Sequence, residues 1–111
     1  MKVLVIKDKK PTGEEEQNMR DLVEFDWCKT TGDALDIVSK KDYSHIIAFL
    51  ECGEETYEDF EKNLRDLCAD NRVLVSMNGE EINEIAKIIN MGAAGILKQP
   101  WSKVELKNRL F

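Results

Sequence analysis

Few side chains in this sequence could carry covalent or metal chemistry, and they stand apart from one another. Asp8 follows Lys7 after the apolar run "VLVI", and Glu51 and Cys52 follow "HIIAFL". Ser76 closes "RVLVS", and Lys98, Gln99 and Pro100 close "GILKQP". A lone carboxylate can contribute one oxygen to a hard cation, which ordinarily needs several oxygen ligands. A thiol at Cys52 would become reactive only if an adjacent lysine lowered its pKa. Lone His45, inside an apolar run, reads as a hydrogen-bonded structural residue. There is no GxGxxG after the first run and no GxxxxGK[ST], so no phosphate-cradling loop is indicated. The three cysteines, Cys28, Cys52 and Cys68, are odd in number and form no CxxC pair. They read as free thiols, with neither a disulfide framework nor a zinc site.

Asp8, Glu51, Ser76 and Gln99 share one property: each stands at the end of an apolar run, and the runs alternate with helix-like stretches. "VLVI" (3–6), "FDWCKT" (25–30), "HIIAFL" (45–50), "RVLVS" (72–76) and "GILK" (95–98) are five expected strands, the second weaker and nearer an edge. Between them, Thr12 with Glu14, Glu15 and Glu16 begins a helix whose inner face is Met19, Leu22 and Val23. Residues 31–41 form a second helix, packing Ala34, Ile37 and Val38. Phe60, Leu64, Leu67 and Cys68 stripe a third. Asn78 and Gly79 make a turn before a fourth helix with Ile82, Ile85, Ala86 and Ile89 inward, and Gly92 stops it. The span 101–111 is the last helix. Strict alternation implies a parallel sheet with helices on both faces, a three-layer flavodoxin-like (βα)5 sandwich in strand order 2-1-3-4-5. Any site then lies beyond the carboxyl ends of the strands, where the residues named above are found.

Composition sets the outer limits. The 111 residues allow one domain, spanning 1–111, with one fold's worth of core. Apolar residues make up 42% and charged residues 34%, which suits a globular chain. A formal charge of -6 argues against nucleic-acid binding. No apolar run is long enough to span a bilayer and no cleavable signal precedes the first strand, so a cytoplasmic location is expected.

In order and spacing, "KVLVIKDK", "KDYSHIIAFL", "RVLVSMN" and "MGAAGILKQPW" resemble the corresponding segments of bacterial response-regulator receiver domains, the CheY-like family, over essentially the whole chain. The resemblance implies a pocket of two acids ending the first strand, a phosphoacceptor aspartate in the third, a switch hydroxyl in the fourth and a lysine–proline step after the fifth. Matched position by position, the first acid is Lys7 and the second Asp8. The phosphoacceptor place is Phe49, the hydroxyl is Ser76, the lysine place is Gln99, and the aromatic switch place is Ile96. Gln99–Pro100 is a candidate cis peptide. A benzyl side chain has no attacking oxygen. An ammonium about 4 Å from a cation opposes it by roughly 4 kcal/mol per charge at an effective dielectric near 20. Glutamine supplies no positive charge for transferred phosphate.

The expectation is a non-enzymatic pseudo-receiver with no metal, cofactor or phosphoacceptor, working through protein contacts. Two alternatives stand beside it. Glu51 could mimic phosphate or accept it, or the chain could be the N-terminal regulatory domain of a longer transcriptional or ATPase regulator. The resemblance also implies that helix 4, strand 5 and helix 5 form the contact face for a partner or a second copy. Here that face would include Met91, Ile96, Lys98, Trp101 and Lys103.

Overall fold

Three strands carry apolar residues on both faces, which commits them to the interior of a sheet covered on both sides. In the computed structural model, which describes residues 1–50, 55–78 and 82–111, these are β1 (Lys2–Ile6), β3 (His45–Phe49) and β4 (Val73–Met77). From Val3 onward every residue of the three is buried. The edges are β2 (Glu24–Cys28) and the four-residue β5 (Gly95–Lys98), both only partly covered. All pairings are parallel and the order is β2-β1-β3-β4-β5, as the alternation predicts.

The connections are α1 (Gly13–Leu22), α2 (Thr31–Val38), α3 (Tyr57–Asp70), α4 (Ile82–Asn90) and α5 (Lys103–Leu110). Because side chains alternate across a strand, the sheet divides the core in two. Leu4, Ile6, Ile46, Ala48, Val73 and Val75 face α2, α3 and α4. Val3, Val5, Ile47, Phe49, Leu74 and Leu97 face α1 and α5. Thr30, Thr56 and Ser102 cap α2, α3 and α5 by accepting the backbone N–H three residues on. Glu55 adds a carboxylate at the start of α2, accepting from the Thr31 hydroxyl and from the N–H groups of Thr31 and Gly32. Gly92 ends α4 at φ +100, a conformation that glycine adopts without a Cβ penalty.

Several details differ from the sequence reading, among them the end of α2 at Val38 instead of 41 and of β2 at Cys28 instead of 30. Val23 is an extended cap residue after α1, though still buried. The last helix begins at Lys103, leaving Trp101 outside it. On α4, Ile82 is 80% and Ile89 54% exposed, and Ala86 is exposed as well. The inner contact is carried by Ile85, as expected, together with Ile88 and Met91. The physical reason is the position of α4 at the sheet border. Lys87 on one flank reaches Glu61 of α3 at 3.1 Å. At 100° per residue, Ile82, Ala86 and Ile89 lie on the flank turned away from α3, toward the outer edge of β5. Gly79 of the expected turn lies outside the described residues.

Candidate functional site

The register brings the sequence-predicted residues to one end of the sheet. Phe49, 2% exposed, ends β3 directly opposite Ser76 of β4, which is fully buried. Ser76 is in turn opposite Leu97 of β5, and the Gln99 N–H extends that pair by donating to the Met77 carbonyl at 2.7 Å. On the other side, Lys7 continues β1: its N–H donates to the Cys28 carbonyl, and the Lys7 carbonyl accepts from the Trp27 indole N–H at 2.8 Å.

The side chains then close the site. The Lys7 ammonium lies 5.3 Å from the centre of the Phe49 ring and 3.8 Å from the carboxylate of Glu15 on α1. A cation over an aromatic face contributes about 0.5–2 kcal/mol, more as water is removed. Ser76 Oγ accepts two hydrogen bonds, from Gln99 Nε2 at 2.9 Å and from Trp101 Nε1 at 3.0 Å. The Gln99–Pro100 peptide is cis. Lys7, Phe49, Ser76 and Gln99 therefore converge as the sequence suggests, with Asp8 partly exposed beside Lys7. Trp101 was missed as a member of this cluster. The signal was available: a tryptophan buried by its ring still needs an acceptor for its N–H, and Ser76 is the buried hydroxyl nearby.

Among the described residues, the side chains at this end of the sheet offer a divalent cation few ligands. Asp8 is the acid at the end of β1, its neighbour is a lysine, and Phe49 is apolar. Among the described residues no three His, Cys, Asp or Glu side chains are grouped to hold a metal ion. Glu51 and Cys52 lie outside the described residues. Burial, then Asp33 and Glu55, push the Cys28 thiol up to about 12, which keeps it protonated at neutral pH. His45 is 6% exposed and its Nδ1 is 3.2 Å from Ser44 Oγ. Burial, and next the Arg72 charge, hold it below the usual histidine range.

The expected contact face needs correction. Met91 is 7% and Trp101 6% exposed, so both belong to the core. Ile96 is half-buried and Lys98 exposed. Lys103 is exposed but pairs with Asp21 of α1 at 2.7 Å, on the other side of the sheet from α4. The exposed apolar residues of α4 are Ile82, Ala86 and Ile89. No helix among the described residues is long and apolar enough to cross a membrane.

No protein-family model matches the sequence, and no curated protein does. Solved structures do. The chain is similar to the chemotaxis response regulator CheY4 of Vibrio cholerae, at 19% identity and a TM-score of 0.77, covering 99% of this chain and 98% of that one. It is also similar to the signal receiver domain of an HD domain-containing protein from Pseudomonas fluorescens: 18% identity, TM-score 0.76, 98% and 90% covered. A third likeness is to a Burkholderia pseudomallei response regulator bearing a phosphorylated aspartic acid and a calcium ion, at 20% identity and a TM-score of 0.77. It covers 99% of this chain and 66% of that one. These similarities define an architecture: the chain has the flavodoxin-like fold of receiver domains, matched over 98–99% of its residues.

Proposed function

We propose that this chain is a receiver domain of the two-component type whose pocket no longer takes up a phosphoryl group, and that it acts by binding protein. One observation carries the reading: Lys7 and the buried Phe49 ring occupy the ends of β1 and β3, where a receiver of this fold needs carboxylates. A benzyl group offers no oxygen for in-line attack, and an ammonium beside it disfavours a metal ion. Receivers shift between two states because phosphate interacts better with one of them. Without that differential interaction the surface remains and the lever does not. No catalytic role is assigned to any residue.

The experiment is direct. Incubation with Mg²⁺ and a small acyl-phosphate donor should leave the intact mass unchanged. A gain of one phosphoryl unit would overturn the proposal. The surface that supports protein contact is the exposed flank of α4, Ile82, Ala86 and Ile89, running toward Ile96 and Lys98 on β5. A partner protein or a second copy covering it would bury apolar area that α4 leaves in water.

A further inference from the structure

We infer that Trp101 is a positioning residue: with Gln99 it ties the β5–α5 junction to Ser76 and holds the domain in one arrangement without any ligand. This rests on the function proposed above only in taking Ser76 to be set by its neighbours and not by a phosphoryl group.

A serine hydroxyl has two acceptor lone pairs and one proton. Both lone pairs of Ser76 are used, by the Gln99 amide at 2.9 Å and the Trp101 indole at 3.0 Å. The two donors come from the segment between the end of β5 at Lys98 and the Ser102 cap of α5, so both hold the same junction. The ring cannot leave cheaply. Trp101 packs with the cluster that also holds Phe49, Leu97, Leu106 and Leu110, and its N–H lies away from water. Turning Ser76 Oγ toward the strand ends would strand that donor, and an unpaired buried N–H is expensive. On the far side of Phe49, Lys7 is held between the ring and Glu15. The hydroxyl at the end of β4 is thus a fixed joint: it secures the β5–α5 junction whatever is present in solution.

The test is a double-mutant cycle read by amide hydrogen exchange. Trp101→Phe keeps an aromatic ring and removes the N–H. In the full chain it should raise exchange at Gln99 and over 101–106 by about tenfold, the factor expected from one lost hydrogen bond. In a Ser76→Ala background the same substitution should add less than about twofold, because the acceptor is already gone. If Ser76→Ala does not fold, Ser76→Cys, whose thiol is a weak acceptor, takes its place, and there too Trp101→Phe should add less than about threefold; an undiminished effect would overturn the inference. An equal effect in the parent and Ser76→Ala backgrounds would mean the ring acts by packing alone and would overturn the inference, as would no effect in either. A phosphoryl gain on the protein would refute the proposed function while leaving this outcome to be read separately.

Discussion

Phe49 decides what the ends of the strands can do, and it does so through both volume and charge. Its ring is buried against the α1 and α5 side and opposite Ser76, with the Lys7 ammonium above it. On the function proposed above, an acid placed there would not make the site phosphorylatable. Phe49→Asp removes a packed ring, which by itself costs about 3–5 kcal/mol, and adds a carboxylate whose nearest cation is already engaged with Glu15. The expected outcome is a drop in urea-unfolding stability of at least about 3 kcal/mol, with no mass gain from an acyl-phosphate donor. A stable Phe49→Asp protein that becomes phosphorylated would show the rest of the pocket to be intact. Cys28 and His45 are constrained at the same scale. Cys28 is held as a thiol, and His45 is spoken for by Ser44.

Among the described helices, α4 leaves two large apolar side chains in water, where the others leave one or none. Its inner face is Ile85, Ile88 and Met91, while Ile82 and Ile89 stand in water on the flank away from α3. Replacing both exposed isoleucines with glutamate should change stability by no more than about 0.5 kcal/mol, as is usual for surface positions. The same change should abolish any self-association or partner binding through this face, as followed by sedimentation. An assembly indifferent to Ile82→Glu and Ile89→Glu would place the contact elsewhere. This helix also marks where the sequence stopped being legible. The runs at 45–50 and 72–76 are apolar on nearly every residue, so their central places were plain from pattern alone. A helical stripe shows which residues could face inward, but not how wide an arc the neighbours cover. That width is set by α3 on one side and by the end of the sheet on the other. Trp101 went unread for a related reason. Its place next to Pro100 and before a helix suits surface and core alike, and only the register puts a buried acceptor within reach of its indole. Lys7, Phe49, Ser76 and Gln99 were legible because strand ends in a parallel sheet converge by construction.

For the whole molecule, acid should weaken the fold through His45. Its folded pKa is lowered, by burial first and the Arg72 charge second. The unfolded chain, with an ordinary value near 6.5, therefore binds more protons over the interval between the two. Stability is present in full above about pH 6.5 and declines as pH falls through the lowered folded value. His45→Gln should flatten the change in unfolding free energy between about pH 7 and pH 5 relative to the parent protein, as measured by urea titration at each pH. A slope unaltered by the substitution would show that another group governs the acid response.

The partition of the interior by the sheet has one more consequence. Lesions on opposite sides, such as Leu64→Ala beneath α3 and Leu106→Ala on α5, share no packing partners and should simply sum. Directed evolution could accordingly renovate the α2–α3–α4 compartment while the tryptophan-sealed one is left untouched, treating a 111-residue chain as two separately tunable halves.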